Sequence, residues 1–223
     1  MNFYYINFAD QKYSKARSVL APLYRNYGFE CIEYGPEDAD QFIIDNGFSL
    51  NERIYGYGCW KPYIILKTLE TMEDGDIVLY TDACDLVLSN PKDIIQEVIS
   101  ENGLMVVQGD FRHADWTKRD CFHVMDCDSP EFHNAKQLES GICAFVKNDY
   151  SKQLLSEWQK HNLNYDAASD DVKFFDNYEG FVDHRHDQSI LTNVVLKMEA
   201  RPIHFSRIQN YFRYDALKHL CEK

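Results

Sequence analysis

Short apolar runs of strand character alternate with longer helix-like segments along most of this chain, and that alternation limits the folds open to it. The run FYYINF (3–8) reads as a strand, KYSKARSVLAPLYRNYG (12–28) as a helix stopped by Gly28, and FECIEYG (29–35) as a second strand. The segment KPYIILKTLETME (61–73) carries Ile64, Ile65, Thr68, Leu69 and Met72 on one helical face, with Pro62 in the first turn. A third strand lies within DIVLYTDACDLVLSNP (76–91) and leads to a helix over 91–100. Beyond it come strands over 103–108 and 140–147, helices over 150–161 and 187–197, and a short strand RPIHF (201–205). The pattern predicts an α/β sandwich on a largely parallel sheet, and the 223 residues are expected to form one domain, 1–223.

In such sheets ligands sit outside the carboxyl ends of the strands. There the run Ile77-Val78-Leu79-Tyr80 stops at two acids, Asp82 and Asp85. Two carboxylates at this spacing suit a hard cation such as Mg²⁺ or Mn²⁺, which takes further oxygens from water and substrate phosphates. They suit an ordinary turn equally well, because Asp side chains bond nearby backbone N–H groups. Upstream, Gly56 and Gly58 precede Trp60-Lys61-Pro62. Lys61 at a helix N-terminus would favour a pyrophosphate, and its alternative is a solvated lysine beside a core tryptophan.

The net charge of −13 excludes a surface built for nucleic acid or anionic lipid. The seven cysteines (31, 59, 84, 121, 127, 143, 221) form no C-x-x-C pair and are expected as reduced thiols in a cytosol-like compartment. The leading NFYYINFADQKYS is too short and polar for a signal or a membrane span, and no later apolar run is long enough to span.

The stretch GYGCWKPYIILKTLETMEDGDIVLYTDACD resembles the Trp-Lys-Pro, Gly-Asp and Tyr-x-Asp-Ala sequence of GT-A-type glycosyltransferases that use nucleotide-diphosphate sugars. LESGICAFVKNDYSKQLLSEW (138–158) is similar to the segment that lines their donor sugar, and HRHDQSIL (184–191) to their Asp-Gln-Ser segment opening a late helix. The matches keep their order over roughly residues 53–205, and the chain resembles small virus-encoded glycosyltransferases that decorate chlorovirus capsid glycans. YTDACD departs from a strict Asp-x-Asp by one inserted residue, which bears on the second ligand.

The resemblance implies a GT-A-like (Rossmann-like) three-layer sandwich, with a nucleotide-binding half over about 1–110 and a donor-sugar and acceptor half over about 111–223. It implies a Mn²⁺ (or Mg²⁺) cofactor, a nucleotide-sugar donor in the form of a UDP-sugar, and a glycan or glycoprotein acceptor, while the lack of an apolar spanning run fits a cytoplasmic setting (host cytoplasm if viral). Asp82 would face the ribose or metal, Asp85 would bind the metal, and His204 would return to it from a late strand. Phe8 and Ala9 would meet the nucleobase, while Trp60 and Lys61 would flank the diphosphate. Glu139, Ser140, Gly141 and Gln188 would line the sugar, where the bare Gly141 permits close approach. Should transfer invert the anomeric centre, a carboxylate must take the acceptor proton, and Asp187 and Asp110 are the candidates. Asp187 also fits an ordinary helix cap. The cluster FRHADWTKRD (111–120) sets Arg112, Lys118 and Arg119 beside Trp116, for phosphate, for a sugar ring, or as a solvated face.

Two other classes compete. His184-x-His186 with His123 and His133 could hold zinc for hydrolysis, although no H-E-x-x-H helix is present and DACDLV breaks the D-x-D-x-[TV] spacing of haloacid-type phosphatases. A catalytically silent nucleotide-sugar-binding domain is the third.

Overall fold

A computed structural model describes residues 1–221. The strands are β1 (Phe3–Phe8), β2 (Glu30–Tyr34), β3 (Ile77–Thr81), β4 (Leu86–Val87), β5 (Leu104–Arg112), β6 (Lys136–Val146), β7 (Ile203–His204) and β8 (Phe212–Arg213). The helices are α1 (Ser14–Asn26), α2 (Pro36–Asp45), α3 (Arg53–Tyr57), α4 (Trp60–Thr71), α5 (Lys92–Asn102), α6 (Arg119–Val124), α7 (Pro130–His133), α8 (Asp149–Asn162), α9 (Tyr165–Ala168) and α10 (His186–Lys197).

Six strands form one sheet in the order β2-β1-β3-β6-β5-β7, and β4 pairs with β8 apart from it. The β2-β1, β1-β3 and β5-β7 pairs are parallel, and only β6 runs against its neighbours. The sheet is mostly parallel, as the alternation of elements requires. Successive side chains enter opposite layers, as a pleated strand dictates. Ile6, Tyr80 and Val106 pack with Ile64, Leu69, Leu154, Trp158 and Leu191 on one face. Tyr5, Leu79, Met105 and Val107 pack with Leu20, Tyr24, Ile95 and Val98 on the other. This is a three-layer α/β sandwich. Burying strands on both faces is why their sequences read as continuous apolar runs instead of alternating ones.

Three local features shape the edge where the strands end. β6 begins at Lys136, earlier than the run at 140–147 suggests, because Glu139, Ser140 and Gly141 lie inside it. Its pairing with β5 steps from Val106↔Cys143 to Val107↔Glu139, so residues 140–142 bulge out of that ladder. α3 is not a right-handed helix. Ile54, Tyr55, Gly56, Tyr57 and Gly58 have φ of 52°, 56°, 78°, 55° and 71°, a left-handed turn that a β-branched residue such as Ile54 adopts only under constraint. The constraint is visible: Arg53 pairs with Asp183 at 2.8 Å, Tyr55 Oη donates to Asp40 at 2.6 Å, and Trp60 Nε1 donates to the Ile54 carbonyl at 3.2 Å. The two glycines, at φ of 78° and 71°, let the chain wind backwards. Lastly, β8 returns the chain beside β4, carrying residues 214–218 to the loop that follows β3. Among the described residues, no helix is long and apolar enough to cross a membrane.

Candidate active site

A cavity of about 630 Å³ opens at the carboxyl ends of β1 and β3. Its floor is the turn after β3. Asp82 N–H donates to the Gly141 carbonyl at 2.8 Å, and Asp85 N–H donates to the Asp82 carbonyl at 3.1 Å, so the main chain of 82–85 closes as a turn. The turn reading thus holds for the backbone, and it leaves the side chains for other work. Tyr80 Oη donates to Asp82 Oδ1 at 2.6 Å, and Asp85 Oδ1 accepts from the Asp215 N–H at 2.9 Å. The second oxygens converge: a Cβ at Gly141 would lie 2.9 Å from Asp85 Oδ2 and 3.1 Å from Asp82 Oδ2. The glycine is what gives both carboxylates room above the β6 bulge. Asp82 is about half exposed, whereas Asp85 is 4% exposed. Burial and the neighbouring Asp82 charge push the Asp85 carboxyl well above its usual range. A buried acid held in that state beside a second carboxylate forms a site that a cation would relieve.

Beside the acids lies a buried ion pair. Lys61 Nζ is 2.9 Å from Asp187 Oδ2, 3.3 Å from Asp82 Oδ1 and 3.2 Å from Ser140 Oγ. Ser140 Oγ donates to Asp187 Oδ2 at 2.8 Å, and Trp158 Nε1 donates to the Asp187 carbonyl at 2.9 Å. Burial opposes the lysine charge, but Asp187 and Asp82 outweigh it and hold Lys61 above its ordinary value. Gly58 belongs to this unit, since a Cβ there would meet Asp187 Oδ1 at 2.8 Å. Lys61 therefore faces carboxylates and does not stand as an open cation at a helix end.

Phe8 stacks on Trp60 with ring centroids 4.1 Å apart and meets Tyr55 at 5.5 Å, and all three line the cavity. Ala9 is buried with its N–H on the Tyr34 carbonyl, and Asp10 is the residue that reaches the wall. Glu139, Ser140, Gly141 and Gln188 all line the cavity, and Gln188 Oε1 accepts from the Ser140 N–H at 3.4 Å. Burial raises the Glu139 carboxyl, against the opposing charge of Arg185.

Comparison with solved structures gives the architecture its relatives. The chain is similar to a glycosyltransferase involved in glycosylation of the major capsid of PBCV-1, with a TM-score of 0.52 and 12% identity over 98% of this chain and 100% of that one. It is also similar to the WbbM bifunctional glycosyltransferase, with a TM-score of 0.50 and 10% identity over 86% of this chain and 37% of that one. The galactosyltransferase LgtC, in complex with donor and acceptor sugar analogues, aligns with a TM-score of 0.48 and 14% identity over 92% of this chain and 73% of that one. The chain has the GT-A fold. At these identities the likeness is one of fold, and no protein-family model and no curated protein matches the sequence.

Within the GT-A sheet, some residues singled out in the sequence stand away from the cavity. Asp110 and His204 pair with each other at 3.2 Å on an exposed edge, with Asp110 86% exposed, and neither lines the cavity. The sheet order explains it: β6 lies between β3 and β5, so β5 and β7 stand about two and three strand spacings from β3, roughly 10 and 14 Å. Arg112 is likewise outside and pairs with Asp115 at 3.4 Å. The basic cluster is dispersed. Lys118 is buried on Ser169 Oγ and the Asp171 carbonyl, and Arg119 pairs with Asp128. His184 and His186 are buried against the carbonyls of Ala167 and Ala168, so they brace main chain. Among the described residues, no group of three or more His, Cys, Asp or Glu side chains is arranged to hold a metal ion.

The sequence reading missed Lys12, Arg185, Tyr214, Asp215 and Lys218, all of which line the cavity. Arg185 lies over the Trp116 ring at 4.4 Å. The only sequence signal for the C-terminal residues is the density of aromatic and basic side chains in NYFRYDALKHL (210–220).

Proposed function

We propose that this chain is a glycosyltransferase that moves a sugar from a nucleotide-diphosphate donor, a UDP-sugar, to a glycan or glycoprotein acceptor with the help of Mn²⁺ or Mg²⁺. The observation that carries the reading is the convergence of Asp82 Oδ2 and Asp85 Oδ2 over Gly141, at the floor of a strand-end cavity in a GT-A fold. Two carboxylates fit a cation of this class, which usually binds through one or two protein acids and completes its shell with water and phosphate oxygens. The donor set present is all oxygen, without His204, so it suits Mg²⁺ as well as Mn²⁺. When bound there, the cation would neutralise charge developing on the departing nucleoside diphosphate.

The chain's own residues divide the remaining work. Phe8, Trp60 and Tyr55 offer an aromatic wall for the base, in the half up to about residue 110. Lys12, Arg185 and Lys218 are lining cations that can face phosphate. Asp187 is held by Lys61 and Ser140, a positioning role that fixes Asp82 and the bulge above which the sugar would lie. Glu139, lining the cavity with a raised carboxyl, is then the acid available to accept a proton from an acceptor hydroxyl.

A thermal-shift panel of nucleotide sugars, with and without Mn²⁺ or Mg²⁺, tests the reading. A UDP-sugar is expected to raise the Tm only with the cation, and Asp82→Ala to remove both that response and sugar transfer. No cation-dependent response to any nucleotide sugar would overturn it. Binding without turnover would make the chain a silent sugar-nucleotide-binding domain instead.

A further inference from the structure

The C-terminal wall of the cavity is attached to the acid loop at three points. Asp215 N–H donates to Asp85 Oδ1 at 2.9 Å, and Leu217 N–H donates to the Cys84 carbonyl at 3.0 Å. The third point is a pair of thiols, with Cys84 Sγ and Cys221 Sγ 3.0 Å apart. Both are free cysteines, and 137 positions separate them in the chain. Cys84 lines the cavity between Ala83 and Asp85 and is 6% exposed, while Cys221 is half-buried on the outer side. Among the described residues, no other two thiols are hydrogen-bonded to each other. Two thiols far apart in sequence meet where residues 214–221 close on the acidic floor.

We propose that Cys84 and Cys221 form a thiol–disulfide couple, an oxidation site that clamps residues 214–221 onto the Asp82–Asp85 loop. The oxidant it takes is a low-molecular-weight disulfide such as glutathione disulfide. Cys221, the more accessible of the two, attacks one sulfur of that disulfide as its thiolate. The S–S bond breaks, one glutathione leaves as a thiolate, and a mixed disulfide remains on Cys221. Cys84 Sγ, already beside Cys221 Sγ, then gives up its proton as it attacks Cys221 Sγ and displaces the second glutathione. The two protein thiols lose two electrons and two protons, and one glutathione disulfide is reduced to two glutathiones that take up those protons. The two sulfurs already lie 3.0 Å apart, so only a short further approach separates them from the ~2.0 Å of the bond. The bond leaves the wall's two main-chain ties no route to open together, and a dithiol reductant reverses it.

The experiment exposes the folded, reduced protein to glutathione disulfide and follows it by intact mass, peptide mapping and deuterium exchange. The expected product is lighter by two hydrogens, with one cross-linked peptide joining Cys84 to Cys221. The amides of Asp215 and Leu217 should exchange about tenfold more slowly, returning to the reduced rate on reduction. A persistent glutathione adduct on Cys221, a cross-link through another cysteine, or unchanged exchange would each overturn the proposal. Cys84→Ser replaces a buried side chain and risks the fold, so Cys221→Ser is the primary variant: it should form no cross-link and keep the reduced exchange rate under oxidant. A parallel measurement of UDP release with Mn²⁺ separates the two proposals. Absence of UDP release in both redox states counts against the transferase reading and leaves the couple standing.

Discussion

Two contacts between a carboxylate and a basic side chain are similar in length and opposite in setting. Lys61 and Asp187 are 2.9 Å apart, and each side chain is 3% exposed. His204 and Asp110 are 3.2 Å apart, at 46% and 86% exposure. In water the second pair is screened and contributes little. The first has exchanged hydration for Ser140, Asp82 and each other, so its members depend on one another. Proximity alone does not make a site. What separates the two pairs is the β6 bulge and the left-handed turn at 54–58, which enclose one pair and leave the other on an edge.

The largest expected effect breaks the buried pair. Lys61→Met strands Asp187 without a counter-charge and should cost about 3–5 kcal/mol in denaturant unfolding. Adding Asp187→Asn should restore part of that loss, whereas Asp110→Asn or His204→Gln should leave the midpoint unchanged. A Lys61→Met protein as stable as its parent would erase the distinction.

Acid should act on the interior before it acts on the edge. His113 is buried between Thr117 and Asn193, and burial lowers its pKa from 6.5 to about 4. The folded state holds the ring neutral and the unfolded state binds the proton first, so its contribution is whole above pH 6.5 and is lost as pH falls from 6.5 towards 4. Its share of the loss is about 3 kcal/mol, and His184, lowered by burial as well, adds in the same direction. Unfolding midpoints compared at neutral and acid pH check this, and a flat profile would contradict it.

The smallest effect has the opposite sign. Asp85 has its carboxyl raised by burial and Asp82, so the folded state favours its neutral form, and the penalty grows as pH rises above the ordinary carboxyl range. Asp85→Asn keeps an acceptor for the Asp215 N–H and should raise the Tm of the cation-free protein at neutral pH by about 2–4 °C. The same change should abolish the response to Mn²⁺. A drop in Tm would mean that the acid contributes to folding instead of costing stability.

The sequence made the scaffold legible because its signals are local. β1 and the helices α1, α4, α5, α8 and α10 fall close to where the hydrophobic period places them, since strands buried on both faces must be apolar and helices must carry one apolar stripe. By contrast, α2 (Pro36–Asp45) was not read from the sequence. Asp82, Asp85, Glu139, Gly141 and Gln188 were legible for the same reason: they sit at strand ends, in a bulge or at a helix start, where motif and topology coincide. Asp110, His204 and Arg112 look equally suitable in one dimension, yet strand order sets them apart. Lys12, Arg185, Lys218 and the left-handed turn carry no local mark that names a partner. The sequence by itself therefore determined the α/β layers and the acids at the end of β3, because hydrophobic period and strand termini are properties of neighbouring residues. Only the tertiary structure decided which charges are buried, which cations reach the cavity and which two of seven thiols meet, because those depend on sheet order and on contacts between residues far apart in the chain.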